Sequence, residues 1–135
     1  MKAIIIAVCA ALLLGGCAGG TKLSDKFDAD KVKKDAEEVV DMVNAEEYEK
    51  LVDEKWAPGM KSALDAEKMA DGIKPVIDDL GAFESFDKEA VTGSVDKDTD
   101  QEFAVAVIKV KYEKRNAQFT ISYDEDMRVA GFYLK

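Results

Sequence analysis

The sequence predicts an α+β domain over residues 28–135, in which three N-terminal helices pack in a bent four-stranded antiparallel sheet. Two changes of pattern carry that prediction. Between Val32 and Leu80 the apolar residues recur at spacings of three and four, as in helices with one buried stripe; from Ala82 onward they alternate, as in half-buried strands. Polar clusters at residues 96–100 and 123–126 cut the alternating part into segments joined by short turns, and short turns join antiparallel neighbours.

Ahead of the domain, Met1 and Lys2 give a positive end, about 12 apolar residues run to Leu14, and Gly15-Gly16 precede Cys17. This is the layout of an export signal, and the run is short of the ~20 residues that cross a bilayer as a helix. Leu14-Gly15-Gly16-Cys17 resembles a bacterial lipobox. The resemblance implies that residues 1–16 are a lipoprotein signal peptide and that Cys17 becomes the first residue of the mature chain, carrying a diacylglycerol and acyl chains of the palmitate kind. Residues 17–27 are mostly small or polar and read as a lipidated flexible tether. Two or more acyl chains hold a soluble domain at a bilayer, so the expected location is the cell membrane, facing outside the cytoplasm.

Loss of Lys2 with the signal takes the formal charge from −9 to −10. Nucleic acid is excluded as a partner, because binding to phosphates is driven by clustered Lys and Arg. An anionic lipid surface repels such a domain, so the membrane contact is made by the N-terminal lipid. Cys9 leaves with the signal and Cys17 is acylated, which leaves the hydrophobic core to hold the fold without a disulfide.

The first helix starts near Asp28, a residue that can cap the free amides of a first turn, and buries Val32, Ala36, Val39, Val40 and Val43. Its charged residues read as a solvated face. The second is expected after Asn44, with Asn44 as cap and Glu47 reaching back to it, and is stopped by Pro58-Gly59. Asp65 caps the third, which buries Met69, Ile73, Val76, Ile77 and Leu80, breaks between Gly72 and Pro75, and ends at Gly81.

The strands are expected at residues 83–95, 103–112, 119–123 and 128–134. In the second of these the apolar set runs Phe103, Val105, Val107 and then Ile108, Val110, Tyr112. Such a change of phase would send half the set to solvent, and the expected remedy is a bulge near Val107-Ile108 that bends the sheet. Gly131 allows curvature or close backbone approach in the last strand.

Three helices followed by a bent four-stranded sheet resembles the nuclear transport factor two-like (cystatin-like) fold, a cone of sheet around helices. The segments Asn44-Ala45-Glu46-Glu47-Tyr48, Leu80-Gly81-Ala82-Phe83 and Tyr123-Asp124-Glu125-Asp126, the last leading to Val129-Ala130-Gly131-Phe132, are similar to a bacterial domain-of-unknown-function family with this fold. Its members occur as small lipoproteins and ahead of α/β-hydrolase domains; no hydrolase activity is expected from the residues given. Members often carry a tryptophan where this chain has Ile73, and Gly72 and Pro75 depart from them too.

Histidine is absent, removing the commonest general base near neutral pH and the commonest zinc ligand. Ser62, Ser85, Ser94 and Ser122 lie in no nucleophile motif. Asp96, Asp98 and Asp100 alternate as in a calcium loop, but Gln101 and Val107 stand where that loop needs glycine and glutamate, so a solvated turn is expected. No catalytic residue, metal site or cofactor is therefore expected. The candidate pocket is a set of aromatics able to line a cone cavity or to fill a core: Tyr48, Trp56, Phe83, Phe103, Tyr112, Phe119 and Tyr123. The expected function is a lipid-anchored, non-catalytic domain binding an unknown protein, peptide or small apolar ligand, with the oligomeric state open. The alternatives are a cone enzyme pairing a buried carboxylate with tyrosine, cued by a deep pocket, and a purely structural envelope lipoprotein, cued by a broad exposed apolar patch.

Overall fold

The computed structural model describes residues 22–135 together with the backbone of Ile6–Cys9. Cys17, residues 18–21 and the remainder of the predicted signal lie outside the described residues. The part of the predicted tether that is described is not free. Leu23 packs against the core, Phe27 is buried in it, and a side chain at Gly93 would collide with the Lys22 carbonyl.

Helix α1 (Ala29–Asn44) begins as the sequence predicts: Asp28 Oδ1 accepts hydrogen bonds from the amides of Asp30 (2.9 Å) and Lys31 (3.2 Å), satisfying donors that no helical carbonyl reaches. The second helix differs in its start and its stop. Asn44 is the last residue of α1, and α2 (Tyr48–Lys55) has no side-chain cap. Pro58 does not stop α2 but opens a further short helix, α3 (Pro58–Ala63), where its missing N–H costs nothing. Between them the extended Trp56 bridges to Val129, and the Ala57 amide donates to the Val129 carbonyl at 2.8 Å.

The predicted third helix is two helices, α4 (Ala66–Gly72), capped by Asp65 on the Lys68 amide at 2.9 Å, and α5 (Lys74–Leu80), with Pro75 in its first turn. The break falls between Gly72 and Pro75 as expected. Gly81 follows at φ +88°, and a Cβ there would stand 2.9 Å from that of Glu113, so glycine is required twice over.

The four predicted strands form one antiparallel sheet: β2 (Phe83–Val95), β3 (Glu102–Tyr112), β4 (Asn116–Tyr123) and β5 (Val129–Leu134). Ile6–Cys9, strand β1, pairs with β5, giving the order β1-β5-β4-β3-β2. The expected bulge at Val107-Ile108 is absent. β3 pairs without interruption with β4, and its inward face is Ala104, Ala106, Ile108, Val110 and Tyr112. The phase never changes, because small alanines hold the inward positions while Phe103, Val105 and Val107 stand half-exposed on the outer face. The register shifts lie elsewhere, at Phe83/Ser85 and Phe86/Lys88 in β2 and at Ser122/Tyr123 between β4 and β5.

All the described helices contribute to one core against the inward face of the sheet. Trp56, Phe119, Tyr123 and Phe132 are at most 1% exposed, with Phe132 between Trp56 (5.7 Å between ring centroids) and Phe119 (5.9 Å).

Candidate functional site

The seven candidate aromatics do not line one pocket. Tyr48, Trp56, Tyr112, Phe119 and Tyr123 are core residues, and Trp56 satisfies its indole by donating to the Leu64 carbonyl at 2.7 Å. Phe83, 38% exposed, stands at the start of β2 with its ring edge-on to Phe86 and Tyr112. Phe103 lies on the outer face at the far end of the same strand pair. Cys17, the lipid-attachment candidate, is outside the described residues.

Two groups of polar side chains lie between α1 and the sheet. In the first, Lys55 from the end of α2 donates to Asp35 Oδ1 (2.6 Å) and Glu38 Oε1 (2.9 Å) on α1. Burial alone would lower the lysine, but its two carboxylate partners outweigh that and hold it above its ordinary value; the Lys55 bond holds Glu38 below its own. Beneath this group, Asp35 Oδ2 and the Tyr123 hydroxyl are both buried without a hydrogen-bond partner. Burial first, and then the Asp35 charge, push the phenol well above the usual tyrosine range, so it stays protonated. In the second group the Tyr112 hydroxyl donates to Asn44 Oδ1 at 2.6 Å, while Asn44 Nδ2 has no partner.

The sequence pattern puts Asp35 on the solvated face of the first helix and gives Lys55 no role. A signal was present for Asp35, which falls at helical spacing from Val32, Val39 and Met42 and so borders the buried stripe. No local pattern ties Lys55 to it from another helix.

A cavity of about 260 Å³ lies where β2 ends and β3 begins, lined by Lys22, Ser24, Gly93, Ser94, Val95, Glu102 and Phe103. It is open and of mixed polarity, and it sits where the segment leading from Cys17 reaches the domain. Only Phe103 of the seven aromatics belongs to it. Its small size is at the lower end for a ligand site, and neither Tyr112 nor Tyr123 faces it. Among the described residues no group of three metal-ligating side chains occurs, and no helix is long and apolar enough to cross a membrane.

A family model described as "Protein of unknown function (DUF3887)" matches residues 36–132. The NMR structure of a protein from Ruminococcus gnavus ATCC 29149 resembles the chain with a TM-score of 0.71 at 26% identity, covering 84% of this chain and 96% of that one. No curated protein matches.

Proposed function

The chain belongs to the DUF3887 family of proteins of unknown function, and on that footing we propose that it is a lipid-anchored binding domain, non-catalytic and facing outside the cytoplasm. One observation carries the non-catalytic reading. Five of the seven aromatics able to line a cone cavity, Tyr48, Trp56, Tyr112, Phe119 and Tyr123, are packed into the core, so recognition falls to the surface. The sheet is read as a nuclear transport factor two-like cone whose bend comes from the register shifts of β2 and of the β4–β5 pair. The anchor rests on Leu14-Gly15-Gly16-Cys17, and docking of Leu23 and Phe27 on the core keeps the domain close to the bilayer.

The enzyme alternative has Asp35 beside Tyr123 in its favour. Both unpartnered atoms are buried, however, and neither Asp35 nor Tyr123 lines the cavity beside Lys22 and Phe103.

The anchor is tested with Cys17→Ala. The variant is expected to lose labelling by radioactive palmitate and to leave the membrane fraction or accumulate unprocessed. A processed, labelled and fully membrane-bound Cys17→Ala product would overturn the anchor.

A further inference from the structure

The two long edges of the sheet are built differently. The outer edge of β2 is blunted in the usual ways: it carries Glu84, Asp87, Lys88 and Glu89, and two register shifts interrupt it. Strand β5 has no charged residue from Val129 to Leu134, and its pairing with β4 is regular from Gly131 to Leu134. Nothing in its sequence discourages another strand.

The backbone shows which groups that edge offers. Gln118 and Lys135 exchange both hydrogen bonds, N to O at 2.9 and 3.0 Å. In an antiparallel ladder such pairs alternate with pairs that make none, so Tyr133 bonds Thr120 and Gly131 bonds Ser122, while the N–H and C=O of Phe132 and Leu134 point away from β4. Ile6–Cys9 sits there, with Ile6 opposite Leu134 and Val8 opposite Phe132. Those residues belong to the predicted signal. Once it is removed, four strong backbone groups and an uncharged edge lose their cover.

We propose that the β5 edge of the processed protein is a strand-accepting site, which takes an extended, uncharged segment of a partner protein running antiparallel to β5, with aliphatic residues opposite Phe132 and Leu134. The proposal deepens the binding-domain reading and rests on removal of residues 1–16. The leader strand is the template for the partner's chemistry: its positions opposite Leu134 and Phe132 hold Ile6 and Val8, with small Ala7 opposite the half-buried Tyr133. Backbone pairing supplies the affinity and the alternate positions the selectivity.

Amide hydrogen exchange read by NMR tests the site. Three samples are compared: the full chain with Cys17→Ala in detergent, the chain isolated after processing in cells, and the latter with a synthetic peptide of residues 4–11. Phe132 and Leu134 amides are expected to exchange slowly in the first, at least tenfold faster in the second, and slowly again with peptide. Tyr133, bonded to Thr120, stays slow throughout. A peptide with Ala7→Pro, which lacks a backbone donor and resists pairing, is expected not to protect them. Failure of the residue 4–11 peptide to slow Phe132 and Leu134 would overturn the proposal. So would protection of those amides in the processed chain that grows with protein concentration, which would assign the edge to a second copy. Mass spectrometry of the processed sample checks the premise separately: a mature product that does not begin at Cys17 overturns the processing reading whatever the peptide does.

Discussion

Helix α1 takes part in two carboxylate pairs, one within itself and one with β2, and they respond to protons in opposite ways. Asp35 and Glu38 close on Lys55 at 2.6 and 2.9 Å, and Glu38 is held below its ordinary value. On the other side, Glu37 faces Glu89 of β2. Glu89 is pushed up to about 7, first by burial and then by the hydrogen bond and charge of Glu37, with Lys33 only partly offsetting them. Both pairs join the same helix to another element. What separates them is a cation within bonding distance, and a carboxylate pair without one must share a proton or repel.

The strongest way to break that comparison is to make the first pair resemble the second. Lys55→Met keeps most of the side-chain volume and removes the charge. Breaking a fully buried pair costs about 3–5 kcal/mol. Here the lysine and Asp35 side chains retain 16% and 22% of their exposure, which lets water screen part of the loss, so a destabilisation of about 2 kcal/mol is expected in urea unfolding. Glu38 should rise at the same time, as seen by carboxyl titration in NMR. Unchanged stability with unchanged Glu38 would mean that solvent, not Lys55, sets the behaviour of the first pair.

The tyrosines beneath α1 sharpen the contrast by separating a made bond from an unmade one. Tyr112→Phe removes a 2.6 Å donor from Asn44, whose Nδ2 is already buried without a partner, and so leaves a whole amide unsatisfied; about 1–2 kcal/mol of stability is expected to go. Tyr123→Phe removes a hydroxyl that has no partner and faces Asp35. Its expected effect is within about 0.5 kcal/mol, because relief of an unpaired buried hydroxyl is offset by the packing lost with its oxygen. Equal losses in the two variants, measured by urea unfolding, would show that Tyr123 bonds Asp35 in solution.

These pairs also show what could be read from the chain. Period and punctuation gave α1 with its Asp28 cap, the break between Gly72 and Pro75, the Gly81 turn and the four strands, because each is decided by neighbours in sequence. The bulge expected in β3 failed for a reason of size. By size Ala104 and Ala106 look like spacers between Phe103, Val105 and Val107, yet they face the helices and the larger residues face out. Which face of an apolar-on-both-sides strand turns inward depends on the room left by helices distant in sequence, α1 among them. Asn44 failed as a cap for a similar reason: Tyr112, distant in sequence, competes for its side chain. The aromatic set was legible as a set, but filling a core and lining a cavity require the same residues, and only the packing distinguishes them.

The smallest expected effect tests the second pair directly. With Glu89 at about 7 in the fold against 4.5 ordinarily, the folded state holds more proton than the unfolded one between those values. By linkage the contribution of Glu89 is fully present below about pH 4.5 and is lost as pH rises through about 7, so stability should decline across that window. A single proton sets a ceiling of about 1.4 kcal/mol per pH unit, and Glu89 is solvated enough that only a fraction of it is expected. Asp41 on α1 is also raised, by burial first and then by the charges of Glu37 and Glu38, and acts in the same direction; Glu38, being lowered, acts at more acid pH. Glu89→Gln keeps a hydrogen-bonding partner for Glu37 and removes the titration, so its urea-unfolding free energy should be flatter than that of the parent between pH 5 and 7. A decline that survives the substitution would move the effect to Asp41, whose neighbours Glu37 and Glu38 lie on the same helix. The contrast would then lie between burial depths along α1, and the presence of a cation would not be its cause.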